Sequence, residues 1–571
     1  MELPSQSHFA TSTAKDHPFS CTLRLILAIL SHLHHIHLIS AMQRDPMETK
    51  DHSSGHFPAA EEGDLPPPLK EVLTPAEERL ETWRRTGSLF LGPLVFGLLL
   101  IFPPESLSAT QASLAAILAW VLIWWIGEAV PLPVTALLGP ALAILLAVAP
   151  AREALAGFAD PIVFVFIGSF MLARAMTVHG LDRRLALGML ALPGMAGSPA
   201  RLVVGFGAVA AIVSMGISNT AVTAMMVPIG LGLLGEVERL ARQSGDDESA
   251  RQIPRVTVAL LLITAYGASV GGIATPIGTP PNLIGIGQLR EALQIPLSFT
   301  DWMAFALPMT FVMFIGLAGV ILWLERPGTK ALPGLKTLLA SRRARLGPLT
   351  PGERNALIAF LVAFACWTAP AILGIIAGHD APATRELARR LPEAVGAVLA
   401  AIVLFILPLD WPRRQFTLTW EQATRIDWGT ILIFGSGICL GSLAFSTGLA
   451  RTMADGLLAF SGVTSLLGLT ALATGMAILL SELTSNTAAA TMIVPVSIAM
   501  AQSAGVDPVP PAIGACIGAS FGFILPVSTA PNALIYGTGR VPLSRMFRAG
   551  IIFDVLGWII LSLMIVWLTA R

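Results

Sequence analysis

The polar residues with chemistry to offer sit in two near-copies of one stretch. SNTAVTAMMVPI begins at Ser218 and SNTAAATMIVPV at Ser485, both inside apolar sequence. TPIGTPPN from Thr275 and PVSTAPN from Pro526 interrupt two more apolar runs. Pro276, Pro280, Pro281, Pro526 and Pro531 forbid a continuous helical ladder there, and Gly278 lets backbone approach a ligand closely. Carbonyls freed at such breaks, with Ser, Thr and Asn oxygens, suit a hard cation such as sodium. The helix starting after each Ser-Asn-Thr points free N–H groups and a positive dipole end at the tip. Asn219 and Asn486 add amide donors, and Thr220 and Thr487 hydroxyl donors, so a carboxylate is held without an arginine. Ser218 and Ser485 also read as plain N-caps. Their duplication, each copy followed by a second break, is what points beyond capping.

The elements that must position these residues are membrane spans. The chain has 571 residues, 54% hydrophobic and 13% charged, with mean hydropathy +0.72. A soluble protein carries about 25% charge. Zero net charge gives no sign of a nucleic-acid partner. Cys21, Cys366, Cys439 and Cys516 lie far apart and indicate neither a disulfide framework nor a metal cluster.

Residues 1–87 read as a polar N-terminal extension without fixed structure, ending in a short helix. Its clustered His32, His34, His35 and His37, and the starts offered by Met42 and Met47, point to an over-long beginning. Residues 88–133 hold the first spans of a scaffold. A first repeat covers 134–324, with a hairpin at 202–234 and a broken helix at 256–286. A basic linker follows at 325–354. A second repeat covers 355–571, with a hairpin at 466–499 and a broken helix at 513–536. The expected fold is an all-α polytopic membrane protein with about 11 transmembrane helices and two re-entrant hairpins. Linker 325–354 carries Arg326, Lys330, Lys336, Arg342, Arg343, Arg345 and Arg354, so it is expected to be cytoplasmic. Arg183 with Arg184, Arg413 with Arg414 and Arg425, and Arg540 with Arg545 and Arg548 share that side only if both hairpins return without crossing. The N-terminus is then cytoplasmic and the C-terminus external. Arg385, Arg389 and Arg390 fall against this bias.

The duplication is an inverted one. FIGSFMLARAMTVHGLDRRLA resembles IFGSGICLGSLAFSTGLARTMA, with Gly168 and Gly435 lying 267 residues apart, as Ser218 and Ser485 do. Asn282 and Asn532 lie 250 apart, the difference residing in a longer charged loop, GEVERLARQSGDDESARQIPR, in the first copy. Five crossings separate the copies, so they face opposite ways, a frequent design in secondary transporters.

At these residues the chain resembles the divalent anion:sodium symporter family, carriers of dicarboxylates, citrate or sulfate. The likeness covers about Leu89 to Leu568, and SFGFILPVSTAPNALI from Ser520 is similar to that family's signature stretch. The resemblance implies a homodimer working as an elevator. It implies a first sodium site at Ser214, Ser218, Asn219 and the Gly278 carbonyl. The second would use Ser481, Thr484, Asn486 and the Ser528 carbonyl. Substrate carboxylates would meet Asn219, Thr220, Thr279, Asn486, Thr487 and Thr529. The halves differ, in that Ser528 replaces a glycine and Ala530 a proline.

Ionisable residues in apolar segments are further candidates. Arg174 is expected to snorkel or pair. Glu482 tunes the second sodium site, binds a proton or accepts backbone hydrogen bonds at the break. Glu128 and Asp554 read as interfacial. Met225, Met226 and Met492 read as packing. No HExxH appears, and neither Gly-x-Ser-x-Gly nor Gly-x-Gly-x-x-Gly occurs in the right context, so an enzyme is not expected. A passive channel fits paired helix breaks less well than alternating access does. The expected function is sodium-coupled symport of a C4-dicarboxylate such as succinate across a bacterial inner membrane. The alternative is a sodium-independent dicarboxylate exchanger, or a sulfate or citrate carrier of the same family.

Overall fold

The computed structural model describes residues 75–569, apart from 193–197, 329–331, 333 and 379. The expectations for the histidine cluster, Cys21 and the start of the chain lie outside those residues. What is described is almost entirely helical, with one two-stranded antiparallel ribbon pairing Pro408–Asp410 with Gln415–Phe416. That ribbon flanks the turn that carries Arg413 and Arg414.

Ten helices are long and apolar enough to span a membrane, or eleven if Leu449–Ser461 and Leu466–Ser481, bent by 104°, count as one. The set differs from the eleven expected. Leu132–Leu145 and Glu393–Ile406 have 14 residues each and Val509–Gly518 only 10. A 14-residue helix rises about 21 Å, short of a ~30 Å hydrocarbon core. The ten instead include the return arms of both hairpins, Asn219–Gln243 and Asn486–Ala504.

The helices repeat in order. Pro161–His179, Leu181–Leu190, Pro199–Ser214 and Asn219–Gln243 are matched by Trp428–Ser446, Leu449–Ser461, Leu466–Ser481 and Asn486–Ala504. Asp247–Gly272, Pro280–Leu293 and Phe299–Glu325 are matched by Val509–Gly518, Ala530–Gly537 and Leu543–Thr569. The first return arm runs on through the charged stretch expected as a loop. Arg239 pairs with Glu236 and Arg242 with Glu238 at helical spacing, which supports the extension. The N-terminal helix Pro75–Ile101 likewise runs unbroken through position 87.

Small residues bring these helices close enough to place the tips. A Cβ on Gly267 would lie 2.8 Å from the Gly207 carbonyl oxygen, so Asp247–Gly272 lies flat on the first arm of hairpin 1. In the second repeat, Gly514 and Gly518 meet Thr474 in the same manner. The repeats then cross over each other. Pro280–Leu293 packs on the return arm of hairpin 2, and Ala530–Gly537 packs on the return arm of hairpin 1. The helix after each break is therefore covered by the return arm of the opposite hairpin. On the outside, Leu132–Leu145 packs on Trp428–Ser446 and Glu393–Ile406 on Pro161–His179.

Candidate functional site

Each hairpin turns at its Ser-Asn-Thr. Ser218 and Ser485 adopt extended backbone angles, and their hydroxyls accept from the N–H of Ala221 at 3.3 Å and of Ala488 at 3.2 Å. These are N-caps, each worth about 1 kcal/mol. The asparagine that opens each helix has a second tie. The Ser214 hydroxyl donates to Asn219 Oδ1 at 2.6 Å, and the Ser481 hydroxyl to Asn486 Oδ1 at 2.8 Å. With Oδ1 turned back toward the incoming arm, each amide NH2 is left for the tip. Ser481 also donates to the Ala519 carbonyl at 2.8 Å, joining hairpin 2 to its break.

The breaks are held open by two buried asparagines. Asn282 Nδ2 donates to the carbonyls of Gly272 at 2.9 Å and Thr275 at 2.8 Å. Asn532 Nδ2 does the same for Gly522 at 2.8 Å and Leu525 at 3.0 Å. The Trp302 indole N–H caps the Ile273 carbonyl at 2.9 Å, and the Thr275 hydroxyl donates to the Met215 carbonyl at 2.5 Å, tying break to tip. Unpaired carbonyls at membrane depth are costly, so these side chains permit the unwinding.

Between tip and break lies a small oxygen-lined gap. A Cβ on Gly272 would fall 2.5 Å from Asn219 Oδ1 and 3.1 Å from the Gly278 carbonyl oxygen. A Cβ on Gly522 would fall 3.3 Å from both the Ser481 carbonyl and hydroxyl oxygens. Asn282 Oδ1 and Asn532 Oδ1 are buried without hydrogen-bond partners. Neutral oxygens of this kind, too crowded for a side chain, fit a small hard cation.

The structure thus gathers Ser214, Asn219 and Gly278 at one cradle, with Thr279 buried beside it. It gathers Ser481 and Asn486 at the other, with Thr487, Ser528 and Thr529 buried. Ser218 and Thr220 are exposed at the tip. Two hydroxyls are engaged elsewhere. Thr484 donates to the Trp125 carbonyl at 2.9 Å, and Ser528 donates to Glu482 Oε2 at 2.5 Å.

Glu482 takes the backbone role foreseen for it, accepting from Ile524 N at 3.0 Å and Leu525 N at 3.3 Å. Asp554 is not interfacial. It is 4% exposed, in the middle of Leu543–Thr569, because Gly550 and Gly557 press its helix onto the second break. Glu128 pairs with Arg84 at 3.2 Å at its helix end. Arg174 has no ion pair among the described residues, its Nε is buried without a partner, and its charged neighbour is Arg425. Arg290 is paired with Asp160 in the last turn of Pro280–Leu293, and Arg184 with Glu353 beside the linker. Among the described residues no group of three or more His, Cys, Asp or Glu is placed to hold a metal.

Sequence reasoning missed Asn282 and Asn532 as clamps, and Gly272 and Gly522 as cradle walls. The signal was present, since both pairs share the 250-residue spacing.

Comparison with known proteins shows the family. The family model for the sodium:sulfate symporter transmembrane region matches residues 84–570. A sodium-dependent dicarboxylate transporter, SdcS, of Staphylococcus saprophyticus is 32% identical over 84% of this chain and 90% of its own. The SdcS of Staphylococcus aureus strain USA300 is 31% identical over the same shares. The Alcanivorax borkumensis YdaH transporter aligns over 86% of this chain and 97% of its own at TM-score 0.48 and 14% identity, too loosely to carry a fold argument. With its match running through both hairpins and both breaks, this chain belongs to the sodium:sulfate symporter family, known also as the divalent anion:sodium symporters.

Proposed function

We propose that this chain is a secondary active transporter that moves a divalent organic anion, a C4-dicarboxylate such as succinate, by symport with sodium. The observation that carries the reading is the doubled arrangement at the tips: serine hydroxyl onto asparagine Oδ1, with a glycine-walled gap behind it. The relatives named as sodium-dependent dicarboxylate transporters support it. One sodium ion meets Ser214, Ser218, Asn219 and the Gly278 carbonyl. Another meets Ser481, Thr484, Asn486 and the Ser528 carbonyl, with Thr484 giving up its bond to Trp125. The substrate carboxylates take the amides of Asn219 and Asn486 and the hydroxyls of Thr220, Thr279, Thr487 and Thr529.

The charges then balance without a basic side chain. Two sodium ions offset a dianion at short range in a low-dielectric pocket, where the attraction is strong. A third positive charge makes each cycle electrogenic. The hairpins and breaks move as one body against a scaffold that includes 88–133, in an elevator motion within a homodimer. The protein sits in the bilayer of the bacterial inner membrane, with linker 325–354 and the N-terminus cytoplasmic and the C-terminus external. It performs no covalent chemistry on its cargo.

The test is counterflow in proteoliposomes preloaded with succinate, citrate or sulfate, with and without sodium. Symport predicts exchange of labelled succinate that requires sodium. Succinate counterflow at full rate in sodium-free buffer makes the protein an exchanger, and a preference for sulfate or citrate replaces the substrate.

A further inference from the structure

Behind the second tip lies a cluster that the site above does not use. Glu482 and Asp554 are 7% and 4% exposed, and Tyr266 is fully buried beside them. Glu482 is well supplied with donors, from Ile524 N, Leu525 N and the Ser528 hydroxyl. Asp554 has none. Neither of its buried oxygens meets a partner in hydrogen-bond geometry, and the polar groups that interact with it are the Glu482 carboxyl and the Phe523 backbone. The surrounding wall is aromatic, with Phe521, Phe523 and Phe553 in mutual ring contact.

Among the described residues no arginine, lysine or histidine bonds to either carboxyl, and Arg548, on the helix of Asp554, is exposed. The Tyr266 hydroxyl is committed to the Phe523 carbonyl at 2.7 Å. Arg545, on the helix of Asp554, is committed to Glu325 at 2.7 Å. The helices packed on that one, Phe299–Glu325, Leu466–Ser481 and Val509–Gly518, add as titratable groups only Asp301, Glu325 and Cys516. The Cys516 thiol donates to the Pro281 carbonyl at 2.9 Å. Two buried carboxyls facing each other, one with no donor at all, require a positive charge between them.

We propose that Glu482 and Asp554 enclose a binding site for one monovalent cation, adjoining the second sodium cradle and additional to it. Sodium and a proton supply the same single charge, and the oxygens that would receive it are the two carboxyls, with the Phe523 carbonyl and Tyr266 hydroxyl adjoining. The first repeat has no counterpart, since Met215 stands 267 residues before Glu482. Through the bond from Ser528 to Glu482, occupancy of this site acts on the second break. That coupling rests on the transport reading, whereas the site itself rests on burial and missing partners.

The experiment compares the purified full-length protein with Asp554→Asn in detergent. Two quantities are read: sodium-22 bound per protomer at saturation, and the infrared C=O stretch of protonated carboxylic acids as pH is stepped. If sodium is the occupant, the bound count falls by one in the variant. If a proton is, the sodium count is unchanged and an acid band of the native protein is missing from the variant. Equal sodium counts with identical acid bands overturn the proposal. Should that variant fail to fold, Glu482→Gln takes its place, read by the same two differences from the native protein. A native protein that binds no sodium, but whose acid band is lost in the variant, removes the symport reading and leaves this site standing.

Discussion

Ser481 donates a hydrogen bond to Asn486 Oδ1 at 2.8 Å across the tip of the second hairpin, and Ser214 repeats it to Asn219 at 2.6 Å in the first. The bond fixes which way each amide faces. Its oxygen belongs to the cradle between tip and break, and its NH2 to the space beyond the tip. In the proposed reading, one residue type thereby serves a cation on one side and an anion on the other. Replacing either asparagine removes both functions at once. Asn219→Ala and Asn486→Ala are each expected to abolish uptake while the protein elutes and melts as the native one does. Native uptake rates in either variant contradict the site.

The cradle makes a sharper demand on Gly272. An alanine there places its methyl 2.5 Å from Asn219 Oδ1 and 3.1 Å from the Gly278 oxygen. Gly272→Ala is expected to raise the sodium concentration for half-maximal uptake at least about tenfold, equivalent to ~1.4 kcal/mol. Gly188→Ala is the control, since a Cβ there meets nothing within 4 Å. Equal sodium dependence in the two variants removes Gly272 from the cradle.

The clamps are structural first. Asn282→Ala removes this donor from the Gly272 carbonyl and leaves that of Thr275 only the Gly278 N–H at 3.3 Å; Asn532→Ala removes it from Gly522 and leaves Leu525 only the Ser528 N–H at 3.3 Å. Each buried group left unpaired costs about 1–3 kcal/mol. Both variants are expected to melt at lower temperature in a thermal-shift assay. An unchanged midpoint means that the breaks do not depend on these side chains.

Thr484 separates two roles. Its hydroxyl ties hairpin 2 to the Trp125 carbonyl, and the proposed second sodium site borrows it. Thr484→Val is expected to weaken sodium dependence several-fold while the thermal midpoint falls only slightly. A large drop in midpoint with native sodium dependence leaves Thr484 as a tie to the neighbouring span alone.

Much of this was legible in the sequence where punctuation residues carried it. Pro276, Pro280 and Pro281 announce the first break because proline cannot continue a ladder, and Ser218 announces the tip because serine caps helices. The constant spacing from Ser218 to Ser485 gives the repeat. What escaped depends on contacts made only in the folded chain. Asn282 clamps carbonyls up to ten residues away, which no local pattern marks. Asp554 looked interfacial from its place along an apolar run, yet glycines on either side bury it against the second break. The stretch after Leu234 looked like a charged loop, because composition does not register ion pairs at helical spacing.

The central claim, that the paired tips couple sodium to a dianion, is tested most directly in proteoliposomes given radiolabelled succinate outside. With an inward sodium gradient the account predicts accumulation above equilibrium, collapsing when sodium is equalised or replaced by potassium. Accumulation indifferent to the sodium gradient, or none at all in protein shown to be folded, contradicts it.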